Sequence, residues 1–434
     1  MKFKRYHLLG LLAALLLALV AAGCGGGDEE GTDTGGGGQA ENVSGSVTIL
    51  ADWSGPEGKS FQAVLDGFSD ANPDVDVTYR PSTNLAQDLS TSLEGGNPPD
   101  LAAVPQPALA ADYQKRGELK EIEFARSTIE DNYDEDWVET GTIDGKLYGV
   151  FFKGANKSTV WYNVHAFEDA GVEPPGTWDE ATQVADTIKA SGVPPWSFGA
   201  SEGWTLTDFF ENLYLQQAGP DMYKQLTDHE IKWTDPSVKE ALQTMADVMT
   251  DDNVADGIDG ALQTDFATSI SNVFANPPKA AMIPEGDFVP GVVAGQTPAK
   301  PQTDYDFFDF PPAGDSGKLV VSGGNEVIMF TDTPASRALL EYLASPEAGE
   351  IWAKRGGFSS PNKNVGEDAY SDEITKRAAT GLTDADTVVF DMSDSMPIEF
   401  GSSDEFSILQ DFIKSGDVDG AAQELEQAAA KAYK

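Results

Sequence analysis

The segment Gly199-Ala200-Ser201-Glu202-Gly203 sets a serine between two glycines, the pattern of a nucleophile elbow. It lies after the strand-like stretch 196–198 and before a helix expected to begin near Thr207. A serine nucleophile in that setting needs a later acid and then a histidine far downstream. Past its first 23 residues the chain has only His165 and His229, and His229 follows Ser201 by too little sequence to pass through further strands. Ser201 therefore reads as a loop residue or a ligand contact. The 72 acidic residues leave a carboxylate pair for glycoside hydrolysis open by counting alone. Asp131, Asp134, Glu135 and Asp136 cluster, as do Asp391 and Asp394. Neither group has the spaced acidic loop with a glycine and a closing Glu that holds calcium. Two distant histidines form no zinc pattern. Both acidic runs read as solvated faces, and neither a metal nor a cofactor is expected.

The single cysteine, Cys24, suggests other chemistry. Lys2, Lys4 and Arg5 precede an apolar run over residues 8–22. At about 15 residues, that run is shorter than the roughly 20 that a spanning helix needs. Val20-Ala21-Ala22-Gly23-Cys24 resembles a lipobox, with Ala21 where a Leu is usual. The alternative is an ordinary secretory signal with an incidental cysteine. Gly25-Gly26-Gly27-Asp28-Glu29-Glu30 and the glycines through Gly38 cannot bury apolar surface and read as a flexible tether. Residues 1–23 are thus expected to be a lipoprotein signal peptide, 24–43 a tether, and Cys24 the lipidated residue. The protein would be extracytoplasmic and anchored to the cell membrane. A net charge of −44 repels phosphates, so nucleic acid is excluded as a partner. With one cysteine there is no internal disulfide.

The elements that must position any site begin near Ser44. Residues 46–50 read as a strand, and Phe61, Val64, Leu65 and Phe68 form one buried helical stripe after Pro56 and Glu57. Asn72-Pro73 ends that helix, and Val75, Val77 and Tyr79 alternate as a second strand. Asn84 is a candidate cap for a helix carrying Leu85, Leu89 and Leu93, and residues 100–104 make a third strand. This strand–helix alternation predicts parallel pairing with helices on both faces. Asp144-Gly145 predicts a hairpin, Gly171 a helix C-cap, and Thr177 with Glu180 a capping box. Ala421, Leu425, Ala429 and Ala432 predict a closing amphipathic helix.

Trp161-Tyr162-Asn163, Phe167, Ala170-Gly171, Pro174-Pro175 and Thr177-Trp178-Asp179-Glu180 together resemble the extracellular solute-binding proteins of ATP-driven sugar importers (family 1). The resemblance spans the mature chain. Trp53-Ser54-Gly55-Pro56-Glu57, Gly96-Asn97-Pro98-Pro99-Asp100, Pro105-Gln106-Pro107, Ala218-Gly219-Pro220, Gly286-Asp287-Phe288, Gly356-Gly357-Phe358-Ser359-Ser360-Pro361 and Met396-Pro397 are most similar to the α-glucoside branch. It implies an α/β, two-lobed periplasmic-binding-protein-like (type II) fold. Three hinge crossings are implied, near 153–155, 322–325 and 360–364. One lobe would hold 44–154 and 324–360, the other 155–323 and 361–434.

A sugar offers hydroxyls around its rim and C–H faces above and below, so its site needs aromatic plates and side chains that bond twice. Trp53 and Trp204 stand in loops beyond strands, where open α/β sheets bind ligands. Trp161, Trp178 and Trp352 read as packing residues; Trp137, Trp196 and Trp233 are undecided. By resemblance Phe288, after Gly286, is a stacking ring. Glu57, Gln106 and Arg355 are hydroxyl contacts, and Asp287, Phe358 and Glu399 further ligand-binding residues. The resemblance implies a monomeric, non-catalytic receptor that takes a carbohydrate, an α-glucoside such as a maltose- or trehalose-like oligosaccharide, to ABC permease subunits by hinge closure. The alternatives are an envelope glycoside hydrolase, or a receptor of this fold for a non-sugar solute.

Overall fold

The computed structural model describes residues 43–314, 317–382 and 384–434, without the side chain of Asp136. The expected signal peptide, most of the tether and Cys24 lie outside the described residues.

Strands β1 (Gly45–Ala51), β2 (Val75–Pro81) and β3 (Leu101–Val104) pair in parallel, with β1 central. The helix Gly55–Ala71 joins β1 to β2 and buries Phe61, Val64, Leu65 and Phe68, the stripe that its spacing predicts. Leu85–Glu94 follows β2. Asn84 occupies its N-cap position but its side chain makes no cap bond; Ser82 Oγ accepts the Asn84 amide instead. Strands β4 (Thr142–Ile143) and β5 (Lys146–Leu147) form the expected hairpin, with Asp144 and Gly145 at φ 52° and 77°. Positive φ at both central residues matches the twist of the flanking strands.

The long strand β6 (Gly149–Asn156) leads into β7 (Thr159–Asn163). Antiparallel β8 (Met282–Pro284) and β9 (Tyr305–Asp309) flank β7 in a second sheet. The eleven-residue β10 (Leu319–Met329) then returns to the first sheet. It is antiparallel to β6 along one side; on the other it pairs with β11 (Thr387–Phe390) and then with β3.

Alternation along the strands separates two apolar layers on the first sheet. Val47, Ile49 and Ala51 of β1, with Val327 and Met329 of β10, join Phe61, Trp53 and Trp352. Leu50, Ala102, Val104 and Ile328 face the opposite layer with Leu89 and Tyr113. Both faces are covered, which is why these strands read as nearly continuous apolar runs. The second sheet has its own cores. One gathers Val160, Phe209, Phe210, Tyr214 and Trp233; the other gathers Trp161, Ile270 and Val293. Residues 196–198, expected to be extended, make only isolated bridges at Trp196. The helix after them begins at Trp204, three residues earlier than the periodicity suggests. Gly171 is a left-handed C-cap at φ 69°. Thr177 accepts the Glu180 amide, while the Glu180 carboxylate takes the amide of Gly176 rather than that of Thr177. The closing helix Val418–Ala432 buries Ala421, Ala422, Leu425 and Ala429.

Candidate functional site

Trp204 opens the helix Trp204–Thr227, and Gly203 precedes it at φ 85°. A Cβ on Gly203 would lie 2.6 Å from Phe406, so both the turn and the close approach call for glycine. The half-exposed Trp204 ring sits 5.1 Å from Phe266 and 6.2 Å from Phe288, and those two rings are 5.5 Å apart. Tilted and edge-on packing of this kind is the arrangement that ring quadrupoles favour. Phe288 is 9% exposed, and a Cβ at Gly286 would come within 2.4 Å of its ring.

Two lysines four residues apart border this aromatic wall. Lys153 Nζ bonds Glu57 Oε1 at 2.6 Å and lies 5.4 Å from the Phe288 ring and 5.2 Å from that of Trp352. Glu57 stands in the first turn of its helix, where the helix dipole favours an anion. Beside it, half-buried Asp52 accepts from Asn325 Nδ2 at 3.0 Å. Burial and the Glu57 charge push the Asp52 carboxyl up to about 6, against the pull of Lys153 and Asn325.

Lys157 Nζ lies 6.0 Å from the Trp204 ring and meets three carboxylates: Asp391 at 2.5 Å, Asp208 at 3.1 Å and Asp394 at 3.6 Å. One cation cannot balance three buried anions. Burial and Asp391 drive Asp208 up to about 7 despite Lys157, and burial with Asp391 drives Asp394 well up. Burial opposes ionisation of Asp391 too, but Lys157 and the Asp394 amide hold it below the usual carboxylate range. Glu211, buried one turn past Asp208, accepts the amides of Met392 at 2.7 Å and Ser393 at 3.0 Å, which fixes the loop carrying Asp391.

The structure changes several sequence-based assignments. Trp53 follows β1 as expected, but it is 3% exposed and packs against Phe61 at 4.7 Å and Trp352 at 4.9 Å. It is a core residue, not a ligand platform. Phe358, 1% exposed, stacks on Trp352 and belongs to the same core. Asp391 and Asp394 are not a solvated face: they are 0% and 9% exposed. Asp131, Asp134 and Glu135 are exposed. Asp287 is buried and bonds to protein groups, the Asn156 amide and the Ser359 hydroxyl. Arg355 is exposed, with Nε 3.1 Å from Ser60 Oγ, and Gln106 Nε2 donates to Ser402 at 2.8 Å. Glu399 and Ser201 are exposed, and the Glu202 carboxylate accepts the Phe266 amide. Lys153, Lys157, Asp208 and Phe266 were missed. One signal was available: Trp204 and Asp208 are one helical turn apart and share a face. Among the described residues, no group of three or more His, Cys, Asp or Glu side chains is arranged to hold a metal ion.

An α/β architecture of two main sheets with separate cores, linked through β6 and β10, is that of a solute-binding protein of the periplasmic type. The family model for bacterial extracellular solute-binding proteins matches residues 52–350, and this chain belongs to that family. The osmoprotective compounds-binding protein GgtB of Synechocystis sp. is 33% identical over 380 residues, 86% of this chain and 89% of that protein. The α-glucosides-binding periplasmic protein AglE of Rhizobium meliloti is 33% identical over 402 residues, 87% of this chain and 86% of that protein. The solute receptor AcbH superposes with a TM-score of 0.80 at 20% identity, covering 90% of this chain and 100% of that one. The GacH receptor of Streptomyces glaucescens gives 0.72 at 20% identity, covering 90% and 99%. The fold is that of the type II periplasmic sugar-binding proteins. These relatives are named as binding proteins and receptors, and the family is one of extracellular solute-binding proteins.

Proposed function

We propose that this chain is a non-catalytic receptor that captures a carbohydrate with α-glucosidic character and presents it, in a closed form, to an ATP-driven importer. The observation that carries this reading is the wall of Trp204, Phe266 and Phe288, a half-exposed indole backed by two rings and bordered by ion-paired lysines. Such a surface suits the C–H face of a sugar, with carboxylates and ammonium groups at its rim for hydroxyls. Of the residues expected from sequence, Trp204 and Phe288 would stack, and Glu57, Gln106 and Arg355 would hold hydroxyls. The α-glucoside preference leans on likeness to AglE.

The lobes would be 44–154 with 324–360, and 155–323 with 361–434. The make-up of the cores supports this division, with Ala369 the exception among their buried members. The proposed crossings lie side by side: Gly154 pairs with Gly324 of β10 and also bridges to Ser359. The β6–β10 register breaks between Asn325 and Glu326, where a bend costs least. Binding energy gained from both lobes at once would drive closure.

A second reading, a receptor for an osmoprotective compound, takes its support from likeness to GgtB. A thermal-shift panel of mono- and oligosaccharides with glycine betaine beside them separates the two. A ligand at a hundred times its Kd stabilises the native state by about 2.7 kcal/mol. A shift with glycine betaine and with no carbohydrate would overturn the sugar reading. Cys24 would anchor the receptor through a diacyl lipid, since one chain alone holds only marginally. Cys24→Ser should release the protein to the medium or leave its signal peptide uncleaved. A mutant still membrane-held with that peptide removed would contradict the anchor.

A further inference from the structure

The Asp287 carboxylate joins segments that the chain order keeps far apart. Its Oδ2 accepts the Asn156 amide at 2.8 Å, and its own amide donates to the Asn156 carbonyl at 2.9 Å. Residue 287 therefore holds the end of β6 by side chain and backbone together. The same Oδ2 accepts the hydroxyl of Ser359. The Ser359 carbonyl accepts the Gly154 amide at 2.8 Å, and Ser322 of β10 pairs with Asn156. Three passes of the chain thus meet around one buried carboxylate. On one side of it, the indole Nε1 of Trp161 donates to the Gly286 carbonyl at 3.0 Å; on the other stands Phe288 of the aromatic wall.

We infer that Asp287 is a positioning residue that couples the chain crossings to Phe288, so that hinge movement and ring placement change together. It acts through Phe288 rather than by touching the ligand. This rests on the receptor reading for its functional meaning, but the geometry stands without a ligand. An ionised acceptor suits the place because two donors aim at one oxygen, and charge-assisted bonds of this kind are about twice as strong as neutral ones. An amide in its place keeps the shape and can turn its oxygen to both donors, but offers an uncharged, weaker acceptor.

Hydrogen exchange of the purified chain, read amide by amide, tests this for Asp287→Asn and for Ser359→Ala, the milder change. In Asp287→Asn the amides of Gly154 and Asn156 should exchange at least tenfold faster, with those of β7 and β9 unchanged. Ser359→Ala should act in the same direction by a smaller factor. Affinity for maltose, measured by calorimetry, should fall about tenfold in Asp287→Asn. Unchanged exchange at the crossings, or uniformly faster exchange throughout, overturns the inference. Lost maltose affinity with unchanged exchange also overturns it, because that is the mark of a direct ligand contact. A wild-type chain that gives no heat with maltose, trehalose or sucrose removes support from the receptor reading, while the exchange rates still decide the clasp.

Discussion

Gln106 and Ser402, 296 positions apart in sequence, meet through a hydrogen bond of 2.8 Å from the amide Nε2 to the hydroxyl oxygen. Gln106 ends the loop after β3, and Ser402 lies in the short π-helix Phe400–Asp404 that runs into the helix Glu405–Ser415. The same closeness shows where a Cβ on Gly295 would come within 2.4 Å of Pro56. On the proposed lobe division, both contacts join one lobe to the other.

If the proposed lobes close on the ligand, the Gln106–Ser402 bond that spans them should contribute to ligand affinity. A double-mutant cycle of Gln106→Ala and Ser402→Ala, read as binding free energy, should show a coupling of about 0.5–1.5 kcal/mol. Additive losses would place the bond outside the closing motion.

Trp204 should carry binding energy and little stability. Its ring is half-exposed, whereas Phe288 is 9% exposed. Trp204→Ala should cost about 2–4 kcal/mol of binding with a nearly unchanged melting temperature. Phe288→Ala should lower both. Calorimetry beside melting curves makes the comparison, and a Trp204→Ala protein that binds normally but melts far lower would assign Trp204 to the core.

Lys157 should matter for folding. It neutralises Asp391, which is 0% exposed, so removing it strands a buried charge. Lys157→Ala should destabilise the protein by about 3–5 kcal/mol in urea unfolding at pH 8. Acidification should lessen the penalty as the stranded carboxylates take up protons.

Glu326 gives the pH dependence a definite sign. It is 2% exposed beside Gly149, and burial alone pushes its carboxyl from 4.5 up to about 8. Between those values the folded chain holds a proton that the unfolded chain has released. Stability therefore falls as pH rises from about 4.5 to about 8, then levels off. The raised carboxyls of Asp208 and Asp287, at about 7 and about 6, act in the same direction. Glu326→Gln should flatten this slope, matching wild type at pH 5 and gaining about 1–3 kcal/mol at pH 9. Melting curves at pH 5, 7 and 9 decide it.

Helix stripes and strand alternation were legible in the sequence because each is a local pattern with one period. Phe61, Val64, Leu65 and Phe68 needed no knowledge of their partners. Trp53 failed for the opposite reason. Its place after a strand suggests a ligand edge, but Trp352 and Phe61 come from other elements to enclose it. Asp391 and Asp394 read as solvated because Lys157 stands more than two hundred positions earlier, and only the fold brings that cation to them. Gly286 before Phe288 was legible as a motif, and its steric reason appears only once the ring is seen against its backbone.

Calorimetric titration with maltose, trehalose and sucrose, followed by chromatography of the same samples, tests the receptor account most directly. The account predicts saturable one-to-one binding of at least one of these sugars, weakened by Trp204→Ala, with the sugar recovered intact. No binding of any of them, or glucose released in proportion to protein and lost on mutation of a carboxylate, would contradict it.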